Sequence, residues 1–252
     1  MSPENYISTW NRNPSSSGCI SLLFRIALTA ISSYCSTAGL LHSAHRGSGW
    51  FLGANIVIYL ELPSFLSLNL LISLSKPKEL QILKVQLPKV DKIPAVRFDK
   101  AKELVSEKYN RKIRNPYDLE PEEEALIGRY FKEEYDADFV FVTHYPSKKR
   151  PFYAMDDPSD EKFTLSFDLL FHGLEVTTGG QRIHDYDQLK AKIAARGMEE
   201  EGMEQYLDTF KHGMPPHGGL GIGLERLTMQ LLGEENVREA CLFPRDLNRL
   251  EP

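Results

Sequence analysis

Gly219, Gly221 and Gly223 alternate with Leu220 and Ile222. Side chains of an extended strand point to opposite faces in turn, so one face of this stretch carries none and forms a bare floor. From Leu224 the apolar period becomes helical, with Leu224, Leu227, Leu231 and Leu232 on one stripe, which puts Arg226 in the first turn at the edge of that floor. A planar ring can lie on such glycines while a guanidinium grips phosphate oxygens in a fixed fork. The plainer alternative is a tightly packed strand-to-helix corner with Arg226 in a surface ion pair, because short glycine motifs are common.

A second constellation precedes it. Residues 163–170 and 174–178 read as strands joined through His172-Gly173, a tight hairpin by length and residue type. A regular hairpin of that kind sets Leu170 opposite Glu175 and Asp168 opposite Thr177. Asp168 and Glu175 then share a face as diagonal neighbours, roughly 7 Å apart at Cα level. Such a pair repels when empty but can hold a hard divalent cation, and Mg2+ is usually bound by one or two carboxylates plus substrate phosphates. The alternative is that each acid pairs with a nearby base, such as Arg182. Gly179-Gly180 is expected to let the chain turn sharply out of the strand, bringing Gln181 and Arg182 back over the same face. Arg182 would suit a substrate carboxylate, and Gln181 an amide or carbonyl.

These groups need elements to hold them. Asp99 is placed to cap a helix running to about Tyr109. A second helix is expected from Pro121, with Glu122, Glu123 and Glu124 at its positive end and Leu126, Ile127, Tyr130 and Phe131 buried. Residues 139–143 read as a strand, and the loop 145–153 sets basic residues beside aromatics, which by itself favours a solvated turn. Residues 186–195 and 203–211 carry apolar residues at helical spacing; both read as core-packing helices, with no functional role for Met198 or Met203.

Composition bounds the rest. The chain has 252 residues, a formal charge of -5 and a pI near 5.9, which argues against a strongly basic nucleic-acid module while leaving room for a local basic patch. Cys19, Cys35 and Cys241 lack metal spacing and fit a reducing cytoplasm. Residues 1–80 hold eight charged side chains and the other 172 residues hold 57, so we expect a low-charge segment over 1–80, poorly ordered and foreign in character to residues 81–252. Ser, Thr, Gly and His interrupt its uncharged run, and Glu61 with Pro63 breaks the later one, so no membrane association is expected.

Several motifs together carry a family resemblance: Arg150-Pro-Phe-Tyr, the run from Ser166 through Thr177-Thr-Gly-Gly-Gln-Arg-Ile-His, the stretch from Tyr206 to His217, Gly219-Leu-Gly-Ile-Gly-Leu-Glu-Arg-Leu, and Leu242-Phe-Pro-Arg-Asp. Residues 163–252 resemble the catalytic domain of class II aminoacyl-tRNA synthetases of the aspartyl, asparaginyl and lysyl subgroup, above all the archaeal-type aspartyl enzymes; weaker similarity reaches back to about Gln86. The resemblance implies an α+β fold, an antiparallel sheet flanked by helices, that binds bent ATP. It assigns Arg226 to the γ-phosphate, Gly219, Gly221 and Gly223 to adenine and ribose, and Asp168, Glu175 and Thr178 to Mg2+ and the phosphates. Arg182 would read the aspartate side chain with help from Arg150, while Gln181 and His217 belong to the substrate pocket. Glu175 and Arg226 would be catalytic. Thr178 conflicts with the regular hairpin, which puts Thr177 on the carboxylate face; either the strand is irregular there or one assignment is wrong.

The implied activity is ATP-dependent activation of aspartate and transfer to tRNA(Asp), with tRNA(Asn) open as a second acceptor. The family's anticodon-binding barrel, its dimer-forming first motif and its second motif, Phe-Arg-x-Glu, are not found in residues 1–85, so the chain reads as part of the catalytic domain. Loss of one positioned charge on the reacting phosphate costs on the order of 3 to 4 kcal/mol of transition-state stabilisation. Two other readings stand beside the ligase: an asparagine-synthetase-like amide ligase, and an inactive remnant acting as an interaction protein.

Overall fold

A computed structural model of the chain describes residues 77–90, 93–241 and 243–248. Residues 1–76, most of the expected low-charge segment, lie outside the described residues. In order the elements are α1 (Pro77–Leu83), β1 (Ala95–Arg97), α2 (Phe98–Tyr109), α3 (Pro121–Tyr135), β2 (Phe139–Thr143), β3 (Asp156–Asp157), β4 (Asp160–Thr164), β5 (Ser166–Phe171), β6 (Leu174–Arg182), α4 (Tyr186–Ala195), α5 (Glu204–Lys211), β7 (His217–Ile222), α6 (Leu224–Leu232) and a 3-10 turn, Val237–Ala240. The described residues fall into two compact units: 89–223 forms one, and 77–88 with 224–248 the other. None of their helices is long and apolar enough to cross a membrane.

The larger unit is built on a five-stranded sheet in the order β1-β2-β5-β6-β7, with β1 parallel to β2 and the other pairings antiparallel. Phe98, Ala101 and Val105 of α2 pack with Ile127 and Phe131 of α3 against Val140, Val142 and Leu170. On the other face of the sheet Phe139 and Phe171, directly paired across β2 and β5, stack with ring centroids 4.3 Å apart. The expected core role of α4 and α5 holds, with Leu189, Ile193, Leu207 and Phe210 buried together and Met203 packed against them.

Local chemistry sets the helix ends, with one correction. Arg97, not Asp99, occupies the N-cap of α2, and Asp99 falls in the first turn. Glu120 caps α3 in a reciprocal capping box with Glu123, and Pro121 opens the helix where its missing N–H is harmless. Glu123 does more than complement the helix end. It is fully buried and accepts from Lys102 Nζ at 2.6 Å, and the same ammonium donates to the carbonyls of Asn115 and Asp118 at 2.9 and 2.6 Å. One cation thereby ties α2, the loop 110–120 and α3 together.

Three strand expectations need correcting. The segment 163–170 is not one strand, because β4 ends at Thr164 and β5 starts at Ser166. Gly179 and Gly180 do not turn the chain out of the sheet; β6 runs straight through them to Arg182. Their reason is crowding. A Cβ on Gly179 would sit 2.8 Å from both the Phe167 ring and the Gly219 carbonyl oxygen, and one on Gly180 2.8 Å from the Leu165 carbonyl oxygen. Third, the β5–β6 register is irregular: Leu170 faces Glu175 as expected, but Leu169 faces Thr177 and Asp168 faces Thr178, leaving Val176 as the extra residue of a bulge.

The crowding gives a contrast to measure by urea denaturation. Gly180→Ala should destabilise the unit by about 1 to 3 kcal/mol through overpacking. Gly221→Ala, whose Cβ meets nothing within 4 Å, should stay within about 0.5 kcal/mol of wild type.

Candidate active site

Cross-strand partners share a face, so the register decides what meets what. Asp168, Thr178 and Gly221 lie in one row across β5, β6 and β7; Ser166, Gly180 and Gly219 lie in the next; Arg182 faces His217 in the row beyond. All are on one face, and Glu175, opposite Leu170, belongs to it too. Without the bulge at Val176, Glu175 and Thr178 would point to opposite faces. The bulge removes the conflict between hairpin and resemblance by placing Thr178, not Thr177, beside the acids. Gln181 does not join them: it pairs with Gly218, and alternation puts its side chain on the opposite face from Arg182.

The glycine floor exists but is not uniformly bare. Over Gly221 there is open space, whereas Arg182 lies across Gly219, its guanidinium nitrogen 2.7 Å from where a Cβ would be. Gly223 lies beyond the strand end and donates its N–H to the Val176 carbonyl at 2.8 Å, so the third glycine closes the shelf against the bulge.

Arg150, which the resemblance sets beside Arg182 at the substrate, is bound to the acidic row. It donates to Asp168 Oδ2 at 2.7 Å and to Thr178 Oγ1 at 2.9 Å, and its guanidinium lies 3.9 Å from the centre of the Tyr145 ring. Asp168 therefore pairs with Arg150, not with Arg182. Tyr145 is 1% exposed, and burial first, then the charge of Asp168, pushes its phenol well above the usual range. The loop 145–153 is thus no solvated turn at Tyr145 or Arg150. It is pinned by Lys192, which donates to the Ala154 carbonyl and to Asp156, and Asp156 in turn accepts from Ser147. Tyr145 and Tyr153 were not singled out from the sequence; the aromatics flanking the basic cluster were the signal.

Arg182 is arranged differently. Its guanidinium stacks 4.9 Å from the Tyr153 ring centre. Tyr206, its phenol raised by burial against the opposing charge of Arg182, is close by. No carboxylate among the described residues pairs with Arg182. A half-buried guanidinium so placed is ready for an anion. His217, across from it, is held through Nδ1 at 3.1 Å from the Pro215 carbonyl oxygen. Arg226 lies on α6, in the other unit, so its γ-phosphate contact stays an expectation of the resemblance.

The acids fit a divalent cation that shares its shell with phosphate. Asp168 is 5% exposed, and its Oδ1 is buried with no hydrogen-bond partner. Thr178 and Glu175 stand on the same face. No group of three or more His, Cys, Asp or Glu side chains converges among the described residues, so the protein offers no closed cage. Mg2+ held by one or two carboxylates and substrate oxygens needs none.

Comparison with known proteins decides the family. Residues 67–247 match the model of class II tRNA synthetases of the D, K and N type. The chain belongs to that family. It is 48% identical over 175 residues, 69% of its length, to an aspartate–tRNA(Asp/Asn) ligase of Aeropyrum pernix, and 48% identical over 180 residues to one of Deinococcus radiodurans. The aspartyl-tRNA synthetase of Entamoeba histolytica superposes with a TM-score of 0.73 at 32% identity, covering 79% of this chain and 41% of that one. An asparaginyl-tRNA synthetase of Pyrococcus horikoshii complexed with asparaginyl-adenylate gives 0.71 at 30% identity, covering 81% and 47%. The expected fold class, an antiparallel sheet with flanking helices, is the one found. The chain spans 40 to 41% of the length of these curated relatives.

The Arg150–Asp168 pair has side-chain exposures of 15% and 8%. Removing one partner from such a pair strands the other charge, at about 3 to 5 kcal/mol. Asp168→Asn and Arg150→Met should each destabilise by an amount of that order, and the double variant by clearly less than their sum. A double-mutant cycle in urea measures this; additivity would mean the two do not interact.

Proposed function

We propose that this face belongs to an aspartate–tRNA ligase, which activates aspartate with ATP and transfers it to tRNA. One observation carries the reading: Arg182, stacked on Tyr153 and lying on Gly219, has no carboxylate partner among the described residues. In this proposal the guanidinium binds the side-chain carboxylate of aspartate. The amino acid is then anchored over the shelf with its α-carboxylate toward the row of Asp168, Thr178 and Gly221.

The adenine and ribose of ATP lie on the open part of the floor at Gly221; the γ-phosphate is the role the resemblance gives Arg226. Asp168, Glu175 and Thr178 would hold Mg2+, which when bound offsets the phosphate charge that otherwise repels the incoming carboxylate. An α-carboxylate oxygen attacks the α-phosphorus as the bond to the leaving pyrophosphate breaks, giving aspartyl-adenylate. Positioning contributes most of the protein's share, since a bound, aligned pair of reactants avoids much of the entropy cost of meeting in solution. A terminal ribose hydroxyl of tRNA(Asp) then attacks the acyl carbonyl, giving up its proton and releasing AMP; tRNA(Asn) is the second candidate acceptor. Arg150, bound to Asp168 and Thr178, neutralises that corner and stands within the same constellation as the substrate carboxylate site. The scattered cysteines fit a cytoplasmic protein.

Pyrophosphate exchange with aspartate, asparagine and lysine in turn tests the reading. Exchange should depend on aspartate, and Arg182→Ala should lower it by about 100-fold with ATP binding retained, as expected for loss of one partner of a desolvated ion pair. Arg226→Ala should abolish ATP binding. Exchange supported by none of the three amino acids would remove the proposal.

A further inference from the structure

A second group of cations lies outside the shelf. The C-terminal end of α2, the loop after it and one side of α3 enclose an open groove of about 560 Å³, lined among others by Tyr109, Arg111, Lys112, Arg114, Glu122 and Arg129. Glu122 and Arg129 are two turns apart on α3 and so face the same way. Arg111 is held in place by Glu120, at 2.6 Å, and by Glu122, which uses up the only acid in this set. Lys112, Arg114 and Arg129 are exposed and have no ion-pair partner among the described residues.

Three unspent cations at one groove in a chain of net charge -5 are a local concentration, not a consequence of composition. Cations without carboxylate partners call for a ligand that brings negative charge and accepting oxygens together. A protein partner would be expected to find a buried aromatic or aliphatic anchor, and lysine is depleted at the centre of protein interfaces. Here the free side chains are the cations themselves. Phosphate oxygens along a nucleic-acid backbone supply both to exposed Lys112, Arg114 and Arg129.

We propose that this groove binds the phosphate backbone of RNA, contacting it at Lys112, Arg114 and Arg129. The inference rests on the tRNA ligase reading for the identity of the RNA, and it adds a contact surface separate from the one that holds aspartate and nucleotide.

The test is binding of a labelled tRNA(Asp) transcript to the full chain, from about 50 to about 200 mM KCl. For a triple variant, Lys112→Gln with Arg114→Gln and Arg129→Gln, the slope of log K against log salt should fall by about 2 to 3, roughly one per lost phosphate contact. A charge-matched control, Lys100→Gln with Lys190→Gln and Lys211→Gln, removes three exposed lysines already paired with carboxylates and should leave the slope unchanged. An unchanged slope in the groove variant, an equal drop in the control, or no salt-dependent binding by the wild-type chain would each overturn the inference. Competition by polyglutamate as effective as competition by RNA would overturn the commitment to nucleic acid. Protection of Lys112 from acetylation by bound tRNA in the wild-type chain gives a second readout that needs no variant to fold. Pyrophosphate exchange by the groove variant separates the two proposals: exchange retained with RNA binding weakened supports the groove, whereas exchange absent in the wild type with the slope change still present sinks the ligase reading alone.

Discussion

A strand has a period of two, and two of the residues assigned to the metal and phosphate region break it. Glu175 and Thr178 are three apart, so a regular strand would send them to opposite sides of the sheet. The extra residue at Val176 removes the conflict: it shifts the register by one and brings Thr178 across from Asp168 while Glu175 keeps its place opposite Leu170. Everything else on that face depends on the corrected register. Gly221, Gly219 and His217 line up with Thr178, Gly180 and Arg182 because β7 pairs with β6 beyond the bulge. The Gly223 N–H bonds to the Val176 carbonyl, so the end of the glycine shelf is fastened to the irregularity that aligns it. Bulges beside functional sites serve this purpose, re-aiming a side chain at the cost of one ladder bond.

The two arginines show how one type of side chain serves different ends. A carboxylate as enclosed as that of Asp168 is costly to keep ionised unless a cation compensates it, and Arg150 does so with one hydrogen bond, held by a second to Thr178 and by a ring face beneath it. Arg150 reaches only one oxygen because its other nitrogen is turned to Thr178, and Asp168 Oδ1 has no hydrogen-bond partner. Arg182 has aromatic and glycine neighbours instead of an acid, so no carboxylate among the described residues neutralises its charge. The glycine at 219 gives that guanidinium its resting place; any larger side chain would occupy it.

Helix packing explains how this face stays in register. A Cβ on Gly128 of α3 would lie 2.4 Å from the Gly173 backbone nitrogen, so helix and hairpin turn touch through their main chains. The Glu175 N–H donates to the Glu124 carboxylate at 3.2 Å, linking the start of β6 to the same helix. With Lys102 and Glu123 tying α3 to α2, the acidic corner rests on a buried polar network as well as on apolar packing. The network is satisfied at Glu123 Oε2, which accepts from Lys102 and the Glu120 N–H, but not at Oε1, which is buried without a hydrogen-bond partner.

Much of this was legible in the chain. Helical period, capping residues and the turn at His172-Gly173 located α3, α4, α5, β2 and the β5–β6 hairpin, because those features depend on residues close in sequence. The alternating glycines announced the shelf, and the motifs spanning residues 150–246 named the family. Long-range contacts decided the rest. Whether Gly179-Gly180 was a turn or a crowded strand depended on Phe167, Leu165 and Gly219, none of which is adjacent to it in the chain. The partner of Asp168 was a choice between Arg150 and Arg182, two bases of the same kind that no local rule distinguishes. Residue types and family membership could be read from the order of amino acids alone. The side of the sheet each residue occupies came from strand pairing in three dimensions, because a single inserted residue in a period-two strand exchanges the faces of all residues after it.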